Sequence, residues 1–331
     1  MRLNKTDTSF IRLPKLALCK DRNVLPKSNY IHGEPTDWFT NENLDKYNLK
    51  AITVDFFVNW STNPVRLSRN VWVKRILQDD PKIFTKENGD LNFERAIEAL
   101  CQYEGEENIR FYCEFFSRNN INLDFLLFRD INWGTNPENI ILIRPKINNG
   151  KIEYVGKFID LNDLKRRISL GSGGPVHIGK KGLIYGTSTL ECHLSKTQYA
   201  YPGDVDLILV NKNTFETEAI IEYKKHNLDS KISEQCLSNY YPNPDARKYD
   251  RLMILKNHLG TKTLLINLYY PTKNENNSKI EVINGKYRSL ISGKSKLIAM
   301  PNVDDIKSIL LYMKETISFI NELKKLESHN D

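Results

Sequence analysis

At 331 residues the chain is long enough for one large or two ordinary domains, and an apolar fraction of 40% supplies a packed core. Five cysteines (Cys19, Cys101, Cys113, Cys192, Cys236) lie at wide spacings with no C-x-x-C pair; this excludes a zinc ribbon or a disulfide framework and predicts reduced thiols. A formal net charge of +7 suits a polyanionic partner, because lysine and arginine release counterions from phosphates.

The opening M-R-L-N-K-T-D-T-S-F lacks the apolar stretch of a signal peptide, and no apolar run is long enough to span a bilayer. A cytoplasmic protein with no membrane partner is expected. Residues 1–50 are polar and turn-rich, and few regular elements are expected there. Residues 51–60 read as a buried strand rich in β-branched and aromatic side chains. In residues 65–78, Val71, Val73, Ile76 and Leu77 sit at helical spacing among Arg66, Arg69, Lys74 and Arg75, and predict a helix. Asn92 is placed to cap a helix through Tyr103 with Phe93, Ala96, Ile97 and Leu100 on one face.

Residues 109–116, 123–128 and 140–144 read as strands. Asn148-Asn149-Gly150 is a turn leading into a strand over 151–158, and Asp160 opens a short basic helix. No internal repeat is evident at a fixed period. The composition shifts in G-S-G-G-P-V-H-I-G-K-K-G, residues 171–182. The expected division is an N-terminal α+β recognition or accessory domain over 1–170 and a second domain over 171–331. Gly174, Gly179 and Lys180 approach the spacing of a P-loop, but Lys181 stands where that motif needs Ser or Thr to hold magnesium.

Residues 203–225, G-D-V-D-L-I-L-V-N-K-N-T-F-E-T-E-A-I-I-E-Y-K-K, read as a β-hairpin with acids at its entry and Glu-Tyr-Lys at its exit. Alternation puts Glu222 and Lys224 on one face and Tyr223 on the other. Asp206 and Asp204 share a face; Asp206 is favoured as the first acid because the apolar run begins right after it, and Asp204 is the alternative. Two carboxylates and an amine at a sheet end suit a divalent cation, Mg²⁺ or Mn²⁺, with a lysine beside it. Five other acid-x-Lys tripeptides occur, and none of them ends an apolar strand opposite a glycine-preceded acid.

Beyond the hairpin, Asp229 or Ser230 caps a predicted helix with Ile232, Gln235, Cys236 and Leu237, broken by Tyr241-Pro242-Asn243-Pro244. A second helix starts at Asp245 or Ala246 and stops at Gly260. Residues 263–270 form a strand, 272–279 a polar loop, and 303–326 an amphipathic helix with Ile306, Ile309, Leu310, Met313, Ile317, Ile320 and Leu323 on one stripe.

The order hairpin, helix, strand, with Gly203-x-x-Asp206 and Glu222-x-Lys224, resembles the PD-(D/E)XK nuclease superfamily. The resemblance covers residues 180–270. It implies an α/β (α+β) restriction-endonuclease-like core, a central mixed sheet flanked by helices, with residues 1–170 as an added α+β region. It implies a Mg²⁺-dependent DNA endonuclease of restriction or defence type, in which Asp206, Glu222 and the backbone carbonyl of Tyr223 hold the ion and Lys224 orients or deprotonates the water. Glu191 stands where the family often carries a helix-borne glutamate completing the set. Gln235 and Tyr240 are similar to a Gln-x-x-x-Tyr element of the recombination-nuclease branch, one residue too long. Lys225 and the helix basics Arg247, Lys248 and Arg251 are candidate phosphate contacts. Double-strand cutting would favour a homodimer. The alternatives are a structure-specific or recombination nuclease, a catalytically inactive nucleic-acid-binding protein of the same fold, and an interaction protein docking through its terminal helix.

Overall fold

The computed structural model describes residues 10–26, 31–78, 92–134, 139–177, 182–227, 229–272 and 275–327. The chain divides into two compact units: unit 1 is Met1–Pro26 with Val54–Gly203, and unit 2 is Lys27–Thr53 with Asp204–Asp331. Residues 27–53 therefore cluster with the C-terminal part of the chain, and residues 171–203 with the N-terminal part. Each unit is mixed α/β, with a mixed sheet flanked by helices. Among the described residues no helix is long and apolar enough to cross a membrane.

After its Met1–Pro26 segment, unit 1 resumes in the second half of strand β1 (Leu49–Asn59) and continues through β2 (Arg66–Leu77), helices α1 (Phe93–Glu104) and α2 (Glu106–Arg118), and strands β3 (Asn122–Arg129), β4 (Ile140–Asn148) and β5 (Lys151–Ile159). Helix α3 (Leu161–Ser172) follows, capped by the Asp160 side chain, and then the short α4 (Thr189–Leu194). The strands lie in the order β1-β2-β3-β4-β5. β1 and β2 are antiparallel and β2 and β3 parallel, with α1 and α2 forming the crossover that a parallel pair requires. The last two pairings are antiparallel.

Two expectations fail here for identifiable reasons. Residues 65–78 are strand β2, not a helix: Val71, Trp72, Val73 and Ile76 are buried between two neighbouring strands, and a continuous run of β-branched and aromatic residues is what such a position takes. Residues 109–116 belong to helix α2, not a strand. Ile109, Tyr112, Cys113 and Phe116 recur at three- and four-residue steps along its buried side. The helix capped by Asn92 and the Asn149-Gly150 turn form as expected.

Unit 2 contains the hairpin strands β6 (Gly203–Asn211) and β7 (Thr217–His226), helix α5 (Ala246–Leu259), strands β8 (Leu264–Pro271), β9 (Asn277–Lys286) and β10 (Ser289–Ala299), and helix α6 (Ile306–Glu327). β6 and β7 are antiparallel, β7 and β8 parallel across α5, and β8, β9 and β10 antiparallel in sequence. The predicted polar loop of 272–279 runs partly into β9. β9 and β10 are missed because their sequences, with Lys279, Glu281, Lys294 and Lys296 among the apolar residues, lack a clean apolar run. At the turn end of this hairpin Gly285 has φ +105° and lies so close to Ser289 that a Cβ would meet its carbonyl oxygen at 2.2 Å.

Odd-numbered residues of the hairpin, Leu207, Leu209, Ile221 and Tyr223, pack in one core with Ile266, Leu268, Trp38, Tyr312, Met313 and Leu323. That core lies under α6, whose predicted stripe holds at Ile309, Met313, Ile317, Ile320 and Leu323, whereas Ile306 is 55% exposed, Leu310 stays outside the core, and Tyr312 and Phe319 join it. The even-numbered hairpin residues are left to face α5.

The expected thiol state is also corrected. Cys19 and Cys192 are joined by a disulfide, whereas Cys101, Cys113 and Cys236 are free. The partners stand 173 residues apart, a separation at which spacing carries no signal. Gly179, Lys180 and Lys181 of the P-loop-like stretch lie outside the described residues.

Candidate metal centre

The site grows from the β6–β7 register. Ile208 pairs with Ile220 and Leu207 with Ile221, so Asp206 and Glu222 are next along the two strands. Both end apolar runs, and a strand leaving its core turns from aliphatic to polar side chains at that point. Tyr223 N–H donates to Asp206 Oδ2 at 2.7 Å, fixing the carboxylate beside the strand end.

Glu222 is 1% exposed. Its Oε1 is 2.7 Å from Lys248 Nζ and 3.2 Å from Lys224 Nζ. Its Oε2 is buried and has no hydrogen-bond partner. Burying a carboxylate costs several kcal/mol unless each oxygen is met by a donor or a cation, so this oxygen marks an unfilled demand for positive charge.

Asp206 responds to the same demand. Burial first, then the Glu222 charge, push its carboxyl well above the usual carboxylate range; Asp204 adds to this, while Lys248 and the Tyr223 N–H oppose it. Lys248 is the counterpart. Burial works against its charge, but Asp204, Asp206 and Glu222 together hold the ammonium well above its ordinary range. Its Nζ is 3.7 Å from Asp204 Oδ1.

Lys224 is buried, with Nζ also 2.7 Å from Asp245 Oδ2. It lies over two aromatic faces, Tyr240 at 4.7 Å and Tyr249 at 5.0 Å from the ring centroids. Tyr249 is fixed in turn: its hydroxyl donates to Asn267, whose amide donates to Tyr269, whose hydroxyl donates to the buried Glu281. The lysine head is thus held by a carboxylate on either side and two rings.

The expected residues fall into two groups. Asp204, Asp206, Glu222, Tyr223 and Lys224 converge, and Lys248 joins them as the acids' partner, not as a free phosphate contact. Arg247 and Arg251 lie on the same helix; burial pulls both below the usual guanidinium range, Arg251 to about 10 with help from Arg247. Lys225, on the opposite side of β7 from Lys224, is ion-paired with Glu34.

Gln235 and Glu191 are placed elsewhere. Gln235 follows a 3-10 turn (Ile232–Glu234) in place of the predicted helix, and its side chain bonds Ser230 and Asn239. Glu191, on α4, belongs to unit 1: its Oε2 accepts from Thr187 N–H and, at 2.8 Å, from Thr187 Oγ1, and its Oε1 is 3.9 Å from Lys74. Tyr240, expected only as the partner of Gln235 in a motif, instead covers Lys224, and Asp245 and Tyr249 were not foreseen as part of the site. Asp245 and Tyr249, four residues apart across the start of α5, had the one usable signal, since that spacing puts both on one helix face.

Among the described residues no group of three or more His, Cys, Asp and Glu side chains could hold a metal ion. Asp206 and Glu222 are a two-carboxylate arrangement. Mg²⁺ commonly takes one or two carboxylates and leaves its other positions to water and substrate oxygens. An orphaned buried carboxylate oxygen beside an acid whose ionisation is suppressed fits such an ion.

No family model matches the sequence, and no curated protein matches it. A solved structure, that of the sex pheromone staph-cAM373 precursor, aligns over 86% of this chain and 85% of its own at 10% identity, with a TM-score of 0.18. At that score the likeness carries no inference about fold or function.

Proposed function

We propose that the protein is a Mg²⁺-dependent phosphodiesterase acting on DNA, an endonuclease of restriction or defence type built on a restriction-endonuclease-like core. The observation that carries this reading is Glu222: a buried carboxylate at a strand end, one oxygen between two lysines, the other with no partner, and Asp206 beside it.

Asp206 and Glu222 would hold the ion with the Tyr223 carbonyl, Asp204 being the alternative to Asp206 as the first acid. A bound Mg²⁺ supplies positive charge for a phosphate and lowers the pKa of a bound water. The chain's own contribution is centred on Lys224. Its ammonium, fixed by Glu222, Asp245 and the Tyr240 and Tyr249 rings, is placed to orient water and to stabilise charge on the phosphate oxygens. In hydrolysis the water oxygen bonds phosphorus and the bond to one ester oxygen breaks. One water proton ends on the leaving alkoxide and the other passes to solvent, giving a phosphomonoester and an alcohol. Arg247 and Arg251, on the helix that carries Lys248, are suited to the phosphate backbone.

The test is incubation of plasmid, linear and branched DNA and RNA with Mg²⁺, Mn²⁺ or EDTA. Metal-dependent DNA cleavage lost in Asp206→Ala, Glu222→Ala and Lys224→Ala is expected. Cleavage surviving all three substitutions, or indifferent to EDTA, refutes the assignment.

A further inference from the structure

Three of the groups that hold the Lys224 ammonium trace back to one carboxylate oxygen in unit 2. Glu222, Asn267 and Glu281 stand in one row across β7, β8 and β9, and all three are buried. Asn267 interrupts the apolar run of β8, where every residue is buried, and a polar side chain there persists only with its hydrogen bonds made.

The first path from Glu281 runs through side chains. Its Oε2 accepts from the Tyr269 hydroxyl at 2.6 Å, that hydroxyl accepts from Asn267 Nδ2 at 2.7 Å, and Asn267 Oδ1 accepts from the Tyr249 hydroxyl at 2.9 Å. A tyrosine hydroxyl has one proton to give. An acceptor at Glu281 takes it, so Tyr269 offers Asn267 a lone pair, the amide nitrogen turns toward Tyr269, and the amide oxygen is left to hold Tyr249. Glu281 thus sets the direction of every bond in the chain.

The second path runs through the backbone. The same Oε2 accepts from Leu237 N–H at 2.9 Å, at the start of the 3-10 turn Leu237–Asn239. Tyr240 N–H closes that turn on the Leu237 carbonyl at 2.9 Å, and the Tyr240 carbonyl accepts from Asp245 N–H at 2.8 Å. The Tyr240 ring also stacks on Tyr269, with centroids 6.0 Å apart.

Lys224 lies where the two paths end. The Tyr249 ring comes from the first; the Tyr240 ring and Asp245 Oδ2 come from the second. Of the four groups around the ammonium, Glu222 alone lies outside both.

We infer that Glu281 is a positioning residue for the reaction of unit 2: from two strands away it fixes the two rings and the carboxylate that keep Lys224 beside Glu222, and so sets where the ammonium meets the phosphate. Its part in hydrolysis rests on the nuclease reading; its hold on Lys224 does not.

Proton NMR of the metal-free chain, labelled with ¹³C at the lysine ε carbon, tests the hold. The Lys224 signal, assigned by its absence in Lys224→Met, should lie upfield of the other lysines, because two ring faces shield it. Glu281→Leu should return it to their position, and Glu281→Gln, which keeps an oxygen for both donors, should leave it upfield. Glu281→Leu strips Leu237 N–H of its acceptor and can unfold unit 2; Tyr269→Phe keeps the ring, breaks the first path alone, and should move the signal part of the way. With Mg²⁺ and plasmid, Glu281→Leu should slow cleavage by about 10–100-fold and Tyr269→Phe by less, with Mn²⁺ binding intact and most of the rate recovered in Glu281→Gln. Neither should slow Lys224→Met further, since both act through that lysine. A signal unmoved in the folded variants, a signal that moves while the rate stays, or losses that multiply in the double variants overturn the inference and leave the nuclease reading standing. A wild-type chain that shows the shielded lysine and cleaves no nucleic acid overturns the nuclease reading, and with it the part of Glu281 in hydrolysis.

Discussion

Asp206→Asn should stabilise the metal-free protein while abolishing its activity. Asp206 is ionised at neutral pH only against burial and the Glu222 charge, which hold its pKa well above the usual range. An acid whose folded pKa is raised binds more protons folded than unfolded, so its contribution to stability falls as pH climbs from about 4, the unfolded value, through the folded one. Asparagine is uncharged at every pH, keeps the shape, and can still accept the Tyr223 N–H that meets Oδ2 at 2.7 Å. Relieving one poorly compensated, partly buried charge is worth about 1–3 kcal/mol. Lys248 retains Asp204 and Glu222, so its ammonium stays paired. Urea unfolding in EDTA from pH 4 to pH 8 measures the difference. The variant should be the more stable one at pH 7.5, with the gap closing toward pH 4, where wild-type Asp206 is protonated in the folded state and about half protonated in the unfolded one. A variant less stable than wild type at pH 7.5, or a gap that does not change with pH, refutes the electrostatic account of the site.

Lys248→Met removes the closest partner of Glu222 and should cost stability in EDTA, toward the lower end of about 3–5 kcal/mol because Lys224 remains at 3.2 Å; chemical denaturation with saturating Mg²⁺ should recover much of it, about 2.7 kcal/mol at a hundredfold excess over Kd. Lys224→Met should lower the cleavage rate by about 10²–10⁴-fold while leaving Mn²⁺ binding intact, a separation that rate measurements and ion titration resolve. Removing the Cys19–Cys192 bond by the paired Cys→Ser substitutions should cost about 2–4 kcal/mol in urea unfolding without changing the cleavage rate of unit 2.

The hairpin and its acid–x–lysine exit were legible because the signal is local: Leu207–Val210 and Ala219–Ile221 are apolar runs that switch to charge at the same level of the sheet. The terminal helix was legible for the same reason, its period spanning six turns. The rest of the site depends on tertiary pairing. Nothing in the run around Lys248 distinguishes a lysine turned into a carboxylate cluster from one turned to solvent. Glu191 looked well placed by its position before the hairpin, but α4 clusters with unit 1, and order along the chain does not reveal such an exchange of segments.

Diffraction from crystals grown with Mn²⁺, with an anomalous difference map, tests the central claim most directly. A peak is expected within about 2.0–2.6 Å of oxygens of both Asp206 and Glu222, the range of hard cation–oxygen bonds, with Lys248 Nζ moved off Glu222. Full loading of the crystal with Mn²⁺ and no peak between these two carboxylates would contradict it.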